Sequence, residues 1–167
     1  RRQPAGDSIG GGNKVMAVIG GRNVGTNDLV VMGAGVLMFI DSFLPWWGAK
    51  HTGIANTSGW NAGFGAWFSI ILLIAVAGVT AARVFGGRSM PAVGGGVVSW
   101  TFITAAVSAL AAIIILLRWL TFPSFGGEAG TKFGTYLGLI IAIVQAVFGY
   151  LSVTAAGEKM PWQKRTA

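Results

Sequence analysis

Four long apolar stretches, each with no charged residue at its centre, dominate the chain. They cover residues 29–47, 62–82, 93–117 and 133–157, and the sequence between them is short. Each supplies about 17 or more mostly apolar residues, the length that a helix needs to cross about 30 Å of hydrocarbon. Because a backbone in lipid must satisfy its own hydrogen bonds, apolar runs of this length indicate helices. The pattern predicts an all-α integral membrane four-helix bundle.

Composition supports a protein that lives in lipid. Hydrophobic residues make up 53% of the chain and charged residues only 10%, which is too little polar surface for a soluble domain. We expect one membrane domain at residues 28–157, after a flexible glycine-rich tail at 1–27 and before a short basic tail at 158–167. The first residue is arginine rather than methionine, which is compatible with a fragment of a longer protein.

Lysine and arginine residues are distributed unevenly around the predicted spans. Nine of the 12 fall on the side of the two termini, and three fall at the other ends of the spans or in the loops there. Because cytoplasmic loops carry an excess of lysine and arginine, we expect both termini to be cytoplasmic in a multi-pass plasma membrane protein. The net charge of +7 then reflects topology and attraction to the headgroups of membrane lipids, and we expect no nucleic acid partner.

Two of the predicted spans resemble each other. The stretch FGAWFSIIL at residues 64–72 aligns with FGTYLGLII at 133–141, and three of the positions are identical. Similarly, FLP at 43–45 ends the first span as TFP at 121–123 ends the third. A duplicated helical hairpin, with a pseudo-twofold axis along the membrane normal, would explain this similarity. Chance similarity between apolar sequences is the alternative.

Two charged residues lie inside the predicted spans at similar depths. Asp41 precedes Pro45 by four residues, and Arg118 precedes Pro123 by five. Because an isolated charge in hydrocarbon costs about 2.5–3.5 kcal/mol on insertion scales, pairing would relieve both groups. One hypothesis is an intramembrane ion pair between Asp41 and Arg118. The alternative is that each side chain reaches the headgroups independently.

Small residues predict where helices pack. Gly134, Gly138, Ala142 and Ala146 recur every four residues in the fourth span and predict a groove for a close neighbour. Gln145 is expected to form an interhelical hydrogen bond there. Smaller patches of the same kind occur in the first and second spans, at Gly33, Ala34 and Leu37 and at Ala75, Gly78 and Ala82. Some of these surfaces are expected to face another protein.

The sequence contains no pattern typical of a catalytic, cofactor or metal site. It has no cysteine, a single histidine at position 51, and five scattered acidic residues. Thiolate metal sites, paired axial histidines and carboxylate pairs for acid–base catalysis therefore have no candidates. We expect a protein that is not an enzyme and that binds no cofactor.

Two segments within this four-span plan resemble a known family. They are GAGVLMFIDSFLPWWG at residues 33–48 and SGWNAGFGAWF at 58–68. The chain resembles a family of small uncharacterised four-span membrane proteins of actinobacteria, of the mycobacterial type. The resemblance covers about residues 28–157, and it implies no catalytic residues. By analogy, it suggests an accessory subunit of a larger envelope complex in a bacterial plasma membrane, such as an Mce-type lipid transport system or a respiratory supercomplex.

The sequence leaves two alternative functions, which belong to different classes of protein. The first is a non-catalytic accessory subunit that packs laterally against a larger integral membrane protein complex, with lipid transport of the Mce type as the favoured host. The second is a small transporter or channel that forms its own homo-oligomer. In that case Asp41, Arg118 and Gln145 would line one polar path.

Overall fold

Four helices make up most of the protein. The computed structural model describes residues 16–19, 21–49, 56–86, 93, 98–121 and 129–157. The helices are α1 (Thr26–Asp41), α2 (Phe64–Phe85), α3 (Trp100–Leu120) and α4 (Phe133–Ala155). Each helix packs against the next along the chain, and α4 also packs against α1. The helices therefore form a closed ring of four neighbours.

The helices alternate in direction. At one end of the ring, Asp28 in the first turn of α1 meets Arg83 in the last turn of α2 and Ser152 near the end of α4. At the other end, Arg118 in the last turn of α3 bonds the backbone of Ala62, just before α2. The arrangement is therefore up-down-up-down, and the start of α1 lies at the same end of the bundle as the end of α4.

Three helices, α2, α3 and α4, are long and apolar enough to cross a membrane, with 22, 21 and 23 residues. Large apolar side chains, among them Ile71, Leu110 and Ile140, are exposed on the outside of the bundle, as expected of surfaces that face lipid. By contrast, α1 has 16 residues and measures about 24 Å, which is shorter than the hydrocarbon core. The structure thus supports a multi-pass membrane protein with three candidate spans.

The first predicted stretch, residues 29–47, is only partly helical, which corrects the sequence-based boundary. After Asp41 the chain makes a tight turn in which the N–H of Phe43 donates to Ile40 O at 3.2 Å and that of Leu44 donates to Asp41 O at 2.9 Å. Pro45 then has no N–H to continue the ladder and favours an extended conformation at Leu44. The chain therefore leaves the helix before the two tryptophans that the prediction had placed inside it.

The fold is mostly helical, as expected, but short strands that the sequence did not predict lie at both ends of the bundle. Strands β1 (Met16–Ile19) and β2 (Arg22–Gly25) form an antiparallel hairpin directly before α1, where a flexible tail was predicted. At the opposite end, β3 (Pro45–Ala49) pairs antiparallel with both β4 (Asn56–Ser58) and β5 (Ala129–Thr131). We call these two ends of the bundle the hairpin end and the sheet end.

The other helix boundaries agree more closely with the sequence. Helices α2 and α4 begin at Phe64 and Phe133, the first residues of the two aligned stretches. Helix α3 begins at Trp100, later than the predicted span, because Ser99 caps it: the N–H of Phe102 donates to Ser99 Oγ at 3.0 Å. The predicted tail at 158–167 lies outside the described residues.

Two glycines allow helices to approach each other closely. A Cβ atom on Gly35 of α1 would collide with the Cβ of Ala77 and would lie 3.3 Å from Leu73 O, both in α2. A Cβ on Gly149 of α4 would lie 3.2 Å from the Cα of Ala105 in α3. Packing between α1 and α2, and between α3 and α4, therefore depends on missing side chains at these positions.

Candidate functional site

Trp46 fills a glycine-lined space at the sheet end, which we call the Trp46 seat. The strand β3 turns this indole inward, where only 1% of the residue is exposed. A Cβ on Gly59, Gly134 or Gly138 would lie between 2.6 and 3.0 Å from the nearest indole atom. The seat therefore exists because three glycines around the ring have no side chain.

Hydrogen bonds hold Trp46 in its seat. Its indole Nε1 donates to the backbone oxygen of Asp41 at 3.1 Å, which joins β3 to the end of α1. Its backbone oxygen accepts from Thr135 Oγ1 at 2.6 Å and from the N–H of Lys132 at 2.8 Å, which joins β3 to the start of α4. Both the side chain and the backbone of Trp46 thus tie the three-stranded sheet of β3, β4 and β5, which we call the cap, to the helices.

Asp41 lies beneath this cap. The residue is 1% exposed, and among the described residues neither of its carboxyl oxygens has a hydrogen-bond partner. A Cβ on Gly138 would lie 2.7 Å from Asp41 Oδ2, so the carboxyl group rests against the backbone of α4. A buried carboxyl without a partner is expensive in an apolar surrounding, which marks Asp41 as a candidate functional residue.

Arg118 does not form the predicted pair with Asp41. Its Nε and Nη2 atoms donate to the backbone oxygen of Ala62 at 3.2 and 2.9 Å, and its guanidinium lies 5.7 Å from the ring centroid of Trp47. The matching depths indicated by sequence are insufficient for contact, because α1 and α3 are not neighbours in the ring and Asp41 faces α4. The contact hypothesis is therefore wrong for this structure.

The predicted packing groove on α4 holds a tryptophan side chain at one end, where the sequence predicted a neighbouring helix. Gly134 and Gly138 lie against the indole of Trp46 rather than against the backbone of another helix. Farther along α4, Ala142 is fully buried, and Ala146 is half-buried. Gln145 donates from Nε2 to the backbone oxygen of Leu73 in α2 at 2.9 Å, while its Oε1 has no hydrogen-bond partner. The amide thus makes one interhelical bond, as its buried position requires.

A polar cluster at the hairpin end joins all four helices, and sequence reasoning missed it. Asp28 Oδ1 accepts from Arg83 Nη2 at 2.7 Å and from Ser152 Oγ at 3.0 Å, and Arg83 Nη1 also donates to Thr101 Oγ1. Both charged side chains are about a quarter exposed, at 24% and 25%. The signal was present in the sequence, because the predicted topology places Asp28 and Arg83 on the same side of the membrane.

Some small residues remain on the outside of the bundle. Ala75, Gly78 and Ala82 are exposed along one face of α2, and an added Cβ on Gly78 would meet no atom within 4 Å. We call these three residues the α2 strip. Gly33 of α1 is also exposed, with open space beside it. These positions differ from Gly35 and Gly149, where contacts within the bundle occupy the space.

Comparisons with known proteins add no assignment. The chain matches no protein-family model, no curated protein and no solved structure. Across the residues that the structure describes, no group of three or more His, Cys, Asp or Glu side chains could hold a metal ion.

Proposed function

We propose that this protein is a non-catalytic accessory subunit that packs laterally against a larger integral membrane protein. The observation that carries the proposal is the exposed α2 strip, Ala75, Gly78 and Ala82. In lipid there is little hydrophobic drive between helices, so association depends on close backbone approach at small residues. An exposed strip of this kind offers such an approach to a transmembrane helix of a partner.

Contacts within the bundle support this interpretation. The glycines that bring helices together inside the ring, Gly35 and Gly149, face other helices of the same chain. Gly78 has the same chemistry and faces open space. The strip spans positions i, i+3 and i+7 of α2, so its three residues share one face of the helix.

The host and the membrane are further parts of the proposal. The resemblance described above favours an Mce-type lipid transport system in a bacterial plasma membrane, and that resemblance is the support for this host. The excess of lysine and arginine on the side of the termini supports a cytoplasmic location for both. The similarity between the starts of α2 and α4 supports a duplicated hairpin.

A small homo-oligomeric transporter or channel is the second candidate. The buried carboxyl of Asp41, with neither oxygen bonded, is the observation that favours it. Against it, Asp41, Arg118 and Gln145 make contacts with three different parts of the bundle. A polar path shared by the three side chains would require a rearrangement of these contacts.

Affinity purification in mild detergent tests the subunit proposal. We expect the tagged protein to bring down a larger membrane protein in stoichiometric amount, identified by mass spectrometry. Gly78→Leu should abolish this association, because a large side chain prevents close approach at the strip. The matched control is Ala109→Leu, which enlarges an exposed small residue on α3 and should leave the association intact.

Two results would contradict the subunit proposal. The first is equal recovery of the partner with Gly78→Leu and with the unsubstituted chain. The second is a homo-oligomer without other proteins that conducts ions in liposomes, which would favour the transporter. In both experiments the elution volume of the variant in size-exclusion chromatography shows whether it is folded.

A further inference from the structure

Among the residues that the structure describes, the elements around Asp41 place no counter-charge on its carboxyl group. On α2 the charged residue is Arg83, which pairs with Asp28 at the hairpin end. On α3 it is Arg118, which bonds Ala62 O. Lys132, just before α4, donates from Nζ to Ala49 O at 2.9 Å.

The tyrosines of α4 and the residues of β3 do not supply a partner either. The hydroxyl of Tyr136 lies 2.8 Å from Thr131 Oγ1, and Tyr150 is exposed near the opposite end of α4. Strand β3 carries no ionisable side chain. The donor beside this carboxyl is the indole N–H of Trp46, which is bonded to the backbone oxygen of Asp41. Since an ionised carboxylate with so few donors is far more costly than a neutral one, this closed arrangement accommodates the protonated carboxyl.

Trp46 is the group that covers Asp41 at the sheet end. Its indole and the carboxyl of Asp41 lie against the same glycine, Gly138, and the indole donates to the backbone oxygen of Asp41. Ionisation of the carboxyl requires water or another donor to reach it. Because three glycines lie close around the indole, we expect water to gain room beside the carboxyl when Trp46 leaves the seat.

We propose that Asp41 is a proton-binding site whose protonation state controls the seating of Trp46. With the proton bound, the carboxyl is neutral and Trp46 stays in its seat. When the carboxyl O–H bond breaks, the proton passes to water at the sheet end, and the charged carboxylate is hydrated as Trp46 and β3 move away. The site is independent of the α2 strip and therefore of any partner bound there.

Thiol labelling measures this opening directly, since the chain has no cysteine of its own. Ser42, the residue after Asp41, is 0% exposed, so Ser42→Cys introduces a thiol that we expect to react only when the sheet end opens. The labelling rate with a membrane-impermeant maleimide is measured from about pH 6 to about pH 9. The same series with Asp41→Asn corrects for ionisation of the thiol, because asparagine cannot lose a proton there.

We expect the ratio of the two rates, aspartate over asparagine, to rise by about tenfold or more over that pH range. Adding Trp46→Phe to Ser42→Cys should give fast labelling at every pH, because a smaller ring leaves the seat partly empty. A flat ratio would overturn the proposal. So would a Trp46→Phe variant that labels no faster, and so would a ratio that follows sodium concentration at constant pH, which would indicate a metal cation instead of a proton.

Indole hydrogen exchange provides a second measurement without any substitution at Ser42. The Nε1 proton of Trp46, assigned in an NMR spectrum by its loss in Trp46→Phe, should exchange slowly while it is bonded to Asp41 O. We expect its exchange to accelerate with pH more steeply in the unsubstituted chain than in Asp41→Asn. Equal pH dependence in the two proteins would refute a role for the Asp41 proton.

Discussion

Arg83 at the end of α2 and Asp28 at the start of α1 form an ion pair, with Arg83 Nη2 2.7 Å from Asp28 Oδ1. Ser152 of α4 and Thr101 of α3 bond to the same pair, so one polar cluster joins four helices. Interhelical packing in lipid is otherwise dominated by van der Waals contact. The cluster therefore sets which ends of the helices meet.

The ion pair should contribute measurably to stability. We expect Arg83→Gln and Asp28→Asn each to lower the free energy of unfolding in detergent by about 1 to 3 kcal/mol, because each leaves a partly buried group without its partner. In the double variant the loss of stability should be smaller than the sum of the two single losses by about 1 kcal/mol or more. Thr154→Ala, an exposed position on α4, is the control and should add to Arg83→Gln without coupling. Strict additivity of Arg83→Gln and Asp28→Asn would show that the pair contributes nothing.

Two glycines of α1 that are two residues apart should respond oppositely to alanine. Gly35→Ala places a methyl group against Ala77 and should cost about 1 to 3 kcal/mol, since α1 and α2 must separate to accept it. Gly33→Ala meets open space and should be neutral or stabilising by up to about 1 kcal/mol, because alanine is the better helix former. Thermal unfolding of the two variants in the same detergent provides the comparison. Equal melting temperatures would contradict the close contact between α1 and α2.

The hydrogen bond from Thr135 to the backbone oxygen of Trp46 can be tested with a substitution that preserves the shape of the side chain. Thr135→Val removes the hydroxyl that donates to the buried backbone oxygen of Trp46, and we expect a loss of about 1 to 2 kcal/mol. The matched control is Thr121→Val, where an exposed hydroxyl bonds its own helix and the expected change is within about 0.5 kcal/mol. Chemical unfolding followed by tryptophan fluorescence measures both. A Thr135→Val loss no larger than that of Thr121→Val would show that the bond does not hold the cap.

Topology follows from the contacts at the hairpin end. Ser152 Oγ lies 3.0 Å from Asp28 Oδ1, so we expect the start of α1 and the end of α4 on the same side of the membrane. Single cysteines at Thr26 and Ala156 should therefore react with an impermeant reagent from the same side. A cysteine at Asn61, which is exposed at the sheet end, should react from the opposite side.

The labelling pattern also decides whether α1 crosses the bilayer. Reaction of Thr26→Cys and Asn61→Cys from opposite sides would mean that the chain crosses between them, although α1 is only about 24 Å long. In that case the extended residues after Asp41, or local thinning of the bilayer, would make up the difference between the length of α1 and the thickness of the hydrocarbon core. Reaction of Thr26→Cys and Ala156→Cys from opposite sides would be incompatible with the cluster around Asp28.

Apolar run length by itself determined that this chain is a multi-pass helical protein. The starts of α2 and α4 were located within two residues, because Phe64 and Phe133 each follow a glycine or polar loop and open a continuous apolar run. The spacing of small residues predicts a packing face on the fourth span, and the polar amide of Gln145 predicts an interhelical hydrogen bond. These features depend on local composition and on the need of each backbone to satisfy its own hydrogen bonds in lipid.

Only the tertiary structure decided which groups meet. Depth along the membrane normal made Asp41 and Arg118 plausible partners, but the order of helices around the ring places Asp41 against α4 and directs Arg118 to Ala62. The inward position of Trp46 depends on strand pairing between residues far apart in sequence, as does the cluster of Asp28, Arg83 and Ser152. A sequence specifies how deep each residue lies more readily than which way it faces, because depth follows from counting residues along one helix whereas direction depends on the packing of all four.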